Sequence, residues 1–423
     1  MISDMKYFIY QNNHLACDDL PVREIARKVG TPVYVYSYRA LKETFNRFSA
    51  AFNGVDHLIC FSMKANSNRA ILRTFVKEGG GVDVVSGFEL ERALAAGCDS
   101  KKIVFSGVGK SSEEIESALA ADIFQFNVES EEELENINRI ASGLRKRAPV
   151  ALRVNPDVDP KTHASISTGL KSSKFGICHD NAVEMYAKAA QMKGVEIVGI
   201  DCHIGSQLTQ VDPFVEAVHK VCGLIPKIRK AGITLKYLDI GGGLGIPYKD
   251  ETPPTPEEYA AAVKREIAGL NLKLILEPGR FMVGNAGILV TKVLYNKERE
   301  AKKFVIVDAA SNDLLRPALY DAYHKIEPLH VEGKRGKVHV DVVGPICETG
   351  DFFAKERPLQ TMLPGEYLAI MGAGAYGYSM SSNYNSRPRP AEVMVNGREF
   401  FVVKERETLK DMVKGERVPK FLE

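Results

Sequence analysis

From residue 57 to residue 277 the chain alternates between short apolar runs and segments with helical spacing. The apolar runs fall at 57–63, 82–86, 103–106, 123–127, 150–155, 198–203, 237–240 and 273–277. They lack a polar face of period two, so both faces are expected to be buried, as in a parallel sheet. Helix-like segments separate them at 89–96, 111–120, 130–142, 181–192, 213–231 and 256–268. Ser111 and Ser112 supply a cap, and Glu113 and Glu114 follow in the first turn, where they suit the helix dipole. Eight strand–helix units over about 220 residues match a (β/α)8 barrel, whose usual size is ~250 residues. An open doubly wound sheet is the alternative, but no GxGxxG follows the first strand.

Either side of this region the pattern changes. A polar turn at Gln11-Asn12-Asn13 suggests a short hairpin. A helix over 22–29 ending at Gly30, a β-prone run over 32–36 and a Ser37-capped helix running to Phe48 follow. After Gly287, short strands at 288–295, 303–307, 338–343, 367–370, 392–395 and 399–402 are punctuated by Gly, Pro and charge. Asn396-Gly397 marks a hairpin, and the charged stretch 330–337 reads as a loop. The expected organisation is an N-terminal β-segment over 1–35, a barrel over 36–285, and an all-β sandwich or small barrel over 286–423 that the N-terminal strands join.

Composition narrows the function. A formal net charge of +2 gives no electrostatic case for nucleic acid or an anionic membrane. No apolar run approaches a membrane span, and residues 1–10 lack the core of an export signal. Seven scattered cysteines without metal-ligand spacing suggest reduced thiols, no metal site and a cytoplasmic setting.

The candidate chemistry lies at the carboxyl ends of the barrel strands, where such folds keep their sites. Lys64 follows the first strand; a lysine leaving an apolar strand is partly desolvated and can act as a Schiff-base nucleophile. On this stretch alone a surface lysine reads equally well. The loop Gly241-Gly242-Gly243 follows strand seven, a usual phosphate position. Glu277, Gly279 and Arg280 end strand eight. A buried Glu277 needs a cationic partner, either a protonated pyridine nitrogen or Arg280 in a structural ion pair. His203 and Ser206 end strand six; the histidine is either core or a flat ring against an aromatic cofactor, and Ser206 would add a hydroxyl to a phosphate cup. Asp83 and Arg153 read as supports of this site or as ordinary ion pairs at the barrel mouth. Together these residues describe a pyridoxal 5'-phosphate site.

The chain resembles the barrel-type pyridoxal phosphate decarboxylases, and within them the diaminopimelate-decarboxylating branch. The resemblance is carried by residues 61–66, 82–89, 163–176, 203–207, 241–245, 277–280, 347–351 (CETGD) and 375–385 (AYGYSMSSNYN). Ala164 and Ser165 depart from it, standing where a bulkier aromatic pairing is expected. The resemblance implies a homodimer with shared active sites, in which Cys347 protonates the product carbanion and Glu348 binds the distal ammonium. It assigns Arg280, Arg316 and Tyr320 to the distal carboxylate and Tyr376 to both cofactor and substrate, with Tyr384 structural. An acid together with extra cations fits meso-diaminopimelate, converted to L-lysine and CO2, better than ornithine. Decarboxylation of another basic amino acid or of carboxynorspermidine, a racemase, and a non-catalytic cofactor-binding homologue are the alternatives.

Overall fold

The computed structural model describes residues 6–163, 166–300, 302–333 and 335–422. The chain divides into two compact units, one formed by residues 41–283 and the other by 1–40 with 284–423.

Residues 41–283 form a closed parallel barrel. Its strands are β1 (His57–Ser62), β2 (Gly81–Val84), β3 (Ile103–Phe105), β4 (Gln125–Val128), β5 (Ala148–Asn155), β6 (Val195–Asp201), β7 (Tyr237–Asp239) and β8 (Lys273–Leu276). Each pairs in parallel with the next, and β8 closes on β1 through Leu274–His57, Ile275–Leu58 and Leu276–Ile59. A two-residue strand, Ile177–Cys178, adds to the edge of β5. The apolar runs therefore became barrel staves because both faces are covered: Phe61, Val104, Phe105, Phe126, Leu152, Ile200 and Leu274 are all buried.

Local signals fix where the helices begin. Ser111 and Thr255 each form a capping box, with Glu114 and Glu258 reaching back to the cap N–H. Ser86 and Ser130 cap the helices Gly87–Ala95 and Glu131–Gly143. The expected helix over 213–231 is broken in two, Asp212–Cys222 and Ile225–Lys230. Pro226 has no N–H to give the preceding turn, so it starts a second helix instead of continuing the first. The helix Arg69–Lys77 was not anticipated, although Asn68 caps it and Ile71, Leu72 and Phe75 fall on one buried face.

The second unit is built on a mixed sheet. Its path runs Phe352–Gln360, Lys337–Val343, Lys302–Val307, Gly287–Arg299, Val33–Ser37, Ala391–Asn396 and Glu399–Lys404. Tyr367–Ile370 also pairs with Gly287–Arg299, and Ile326–Pro328 pairs beyond it. The N-terminal strand Val33–Ser37 thus sits mid-sheet, antiparallel to Gly287–Arg299 and parallel to Ala391–Asn396. The N-terminal hairpin forms a small sheet of its own, with Asn12 and Asn13 both left-handed in its turn. It is tied to the larger sheet's region by the Leu15 N–H on the Leu329 carbonyl (2.9 Å). The second hairpin signal is displaced by one residue: Asn396 pairs with Glu399, so Gly397-Arg398 make the turn. The strand Phe352–Gln360 escaped the sequence pattern because it carries Lys355, Glu356, Arg357 and Pro358; it ends the sheet path, where proline and charge are tolerated.

At one level of the barrel Leu58, Cys60, Val104 and Ile275 pack together with Phe124 and Tyr237 around them. Ile275→Ala should open a cavity there and destabilise the barrel by about 2–5 kcal/mol, read as a lower denaturant midpoint.

Candidate active site

The barrel strands deliver their polar residues to one end. Past β1 the chain tightens into a 3-10 turn, Met63–Ala65, that carries Lys64. Its Nζ donates to Asp83 Oδ2 at 2.8 Å. Asp83 stands opposite Ser62 in the β1–β2 register and is fully buried. Ser62 Oγ donates to the same carboxylate oxygen at 2.6 Å. The other oxygen of Asp83 has no hydrogen-bond partner among the described residues. Asp83 thus holds Lys64 directly, whereas Arg153 is held by Glu129 at 2.6 Å, with Asp201 at 4.0 Å.

Glu277, one residue past β8, is buried. It accepts from Asn127 Nδ2 at 3.1 Å and Ser106 Oγ at 3.3 Å, and among the described residues it forms no ion pair. Burial, followed by the charges of Asp239 and Asp83, pushes its carboxyl well above the usual range. Asn127 also donates to Asp239 Oδ2 at 3.2 Å, so one amide bridges two acids. Asp239 is pushed up to about 8 by burial and then by Asp201. The expected alternative, a Glu277–Arg280 ion pair, is replaced by other partners for the arginine. Arg280 Nε and Nη2 donate to Ser206 Oγ at 3.3 and 3.1 Å, and Nη1 donates to Tyr248 Oη at 2.8 Å.

His203 lies two residues past β6, and its Nδ1 accepts the Gly242 N–H at 3.2 Å. Burial, with Arg153 and Lys64 adding to it, lowers its pKa well below the ordinary value. The ring is therefore neutral, with its hydrogen on Nε2. The glycines are needed where the loops after β6, β7 and β8 crowd together. A Cβ on Gly242 would sit 2.2 Å from the Glu277 carbonyl oxygen, and one on Gly241 would sit 2.7 Å from His203 Nδ1. Gly243 is left-handed, at φ 118°. Gly279 packs its Cα against Ser62, where a Cβ would meet the serine's at 3.0 Å.

This end of the barrel brings together Lys64, His203, Ser206, Gly241, Gly242, Gly243, Glu277, Gly279 and Arg280. It suits pyridoxal phosphate on its own chemistry: a lysine amine, a buried acid with no ion pair among the described residues, a neutral flat ring and a backbone cradle that side chains would fill. Asn127, Ser106 and Tyr248 were not anticipated. For the first two the signal was a polar residue at the end of an apolar strand.

The remaining candidates belong to the second unit. Asp351 is buried and fastens the CETGD loop by accepting the Ile346 N–H at 2.7 Å and the Ser311 N–H at 2.7 Å. This leaves Cys347 and Glu348 exposed. The Cys347 N–H donates to Asn385 Oδ1 at 3.1 Å, and Tyr384 hydrogen-bonds Glu348. Arg316 is buried at the start of the helix Arg316–Tyr320. Tyr376 adopts φ 55°, left-handed for a bulky residue, a conformation that costs on the order of 1–3 kcal/mol. Ala164 and Ser165 lie outside the described residues.

Residues 38–284 match the family model described as "Pyridoxal-dependent decarboxylase, pyridoxal binding domain". A protein from Haemophilus influenzae named diaminopimelate decarboxylase is 50% identical over 96% of this chain and 98% of its own length. The chain belongs to the diaminopimelate decarboxylase family of pyridoxal-dependent decarboxylases. A second protein of that name, from Neisseria meningitidis, is 52% identical over 95% of this chain and 98% of its own length. The crystal structure of the M. jannaschii diaminopimelate decarboxylase in co-complex with L-lysine superposes with a TM-score of 0.95, at 41% identity and 99% coverage of both chains. As in every pyridoxal-dependent decarboxylase, the cofactor is pyridoxal phosphate.

The buried acids give a pH dependence whose sign is fixed. Asp239 titrates near 8 when folded, against an ordinary value of 3.8. Between those values the folded chain holds a proton that the unfolded chain has lost, so stability falls as pH rises through the window. Thermal melts of the cofactor-free protein from pH 5 to pH 8 should show this decline, and Asp239→Asn should flatten it.

Proposed function

We propose that this diaminopimelate decarboxylase family member removes CO2 from meso-2,6-diaminopimelate to give L-lysine, with its side chains dividing the work as follows. The observation that carries the reading is the barrel end itself, where a lysine held by Asp83 and a buried acid with no ion pair among the described residues stand among glycine loops.

When bound, pyridoxal phosphate supplies an electron sink for the pair left by the departing carboxylate. Lys64 would hold the cofactor covalently through its amine and yield it to the substrate's amine. Asp83 keeps that amine on station. Glu277 would hold a proton on the ring nitrogen; its burial makes a cationic partner favourable. His203, kept neutral, offers a flat face without a competing charge. Ser206, Arg280 and the backbone at Gly241, Gly242, Gly243 and Gly279 would receive the phosphate.

The Cys347 thiol would then return a proton to the substrate's α-carbon. Glu348 would pair with the distal ammonium. Arg280, Arg316 and Tyr320 would hold the distal carboxylate, which a planar guanidinium fork fits. Tyr376 would touch both cofactor and substrate. In this reading the chain works as a homodimer, with Cys347 and Glu348 serving the partner's barrel. The seven free cysteines suit a reducing, cytoplasmic setting, and no described helix is long and apolar enough to cross a membrane.

Purified protein given meso-diaminopimelate should release CO2 and L-lysine, and should leave ornithine and arginine untouched. Lys64→Ala should abolish both turnover and covalent cofactor attachment; a variant that keeps both sinks the assignment. Cys347→Ala should retain the cofactor and lose about 10²–10⁴-fold in kcat.

A further inference from the structure

The candidate site leaves one buried histidine unused. His324 is fully buried, and its ring nitrogens lie 2.8 Å from Arg316 Nη1 and 2.8 Å from the Met371 carbonyl oxygen. A guanidinium can only donate, so Nε2 must accept from Arg316. Nδ1 then carries the hydrogen and donates it to Met371. Two short bonds fix one tautomer, and that tautomer is neutral.

We propose that His324 is a positioning residue that aims Arg316 at a carboxylate on the far end of the substrate. It thereby sets the preference for a substrate ending in an amino acid over one ending in an amine. The inference rests on the role given to Arg316 above.

A neutral acceptor is the informative choice here. An aspartate or glutamate at this position would orient the guanidinium equally well, but its negative charge would compete with a substrate carboxylate for that guanidinium. The imidazole orients Arg316 and adds no negative charge.

The ring is also well anchored. The Met371 N–H donates to the Lys325 carbonyl at 2.8 Å, extending the ladder in which Ile326 pairs with Ile370. Arg357 Nη1 donates to the His324 carbonyl at 2.8 Å while its guanidinium lies 3.9 Å from the Tyr323 ring centroid. Turning the imidazole away from Arg316 would break its bond to this ladder. Met371 also begins the loop that leads to Tyr376, so one anchor serves two residues assigned to the substrate.

The test uses calorimetric titration of the cofactor-loaded protein with two ligands: L-lysine, and 1,5-diaminopentane, which is lysine without its carboxylate. His324→Asn keeps a donor near the Nδ1 position for Met371 but cannot reach Arg316. It should lose about 10- to 100-fold in lysine affinity, the worth of a hydrogen bond to a charged group, with diaminopentane binding unchanged. His324→Gln restores an acceptor near the Nε2 position and should keep the lysine preference. The proposal is overturned if His324→Asn keeps that preference, or loses both ligands alike. If His324→Asn does not fold, His324→Gln decides alone, and its loss of the preference overturns the proposal. Arg316→Met separates the two levels. If it keeps the lysine preference, the role of Arg316 is wrong and this inference goes with it. If it loses the preference while His324→Asn does not, only the role of His324 fails.

Discussion

The barrel end is organised by an unfavourable fact: Glu277 is buried and forms no ion pair among the described residues. Asn127 and Ser106 give its carboxylate hydrogen bonds, but neither supplies charge. Asp239 and Asp83 raise its carboxyl further, and Lys64 and Arg153 act in the opposite direction. Such an arrangement persists in a folded protein when something outside the chain completes it. In the proposed reading a protonated ring nitrogen would do so. The neighbouring features would serve to keep that ring in place: a neutral His203, glycine loops pressed close together, and a lysine that rests on Asp83.

The fold was legible where burial decides the residue. Eight runs apolar on both faces pointed to the barrel, and the helices expected from 111, 130 and 256 begin within a residue of those positions. Legibility failed where tertiary context overrides local pattern. The edge strand Phe352–Gln360 looks like a charged loop because edge strands are allowed proline and lysine. The helix over 213–231 was read as continuous because its apolar spacing runs on through Pro226.

For the site, residues with unusual chemistry at strand ends could be picked out, and the structure gathers the barrel's share of them at one end. Their hydrogen-bond partners could not. Nothing local distinguishes Asn127 from another strand-end amide, or His324 from a core histidine. Their roles arise from residues 150 positions away in one case and from a carbonyl 47 positions away in the other. Hydrogen bonds across a barrel or a sheet are long-range facts that spacing does not encode.

In the proposed reading Glu277 takes a cationic partner when the cofactor arrives. The most direct measurement is a difference infrared spectrum, at mildly acidic pH, of the cofactor-free protein before and after addition of pyridoxal phosphate, with Glu277→Gln as reference. Binding should bring loss of a protonated carboxyl band and gain of a carboxylate band, both absent from the variant. An unchanged carboxyl region in the wild type, with cofactor bound, would contradict it.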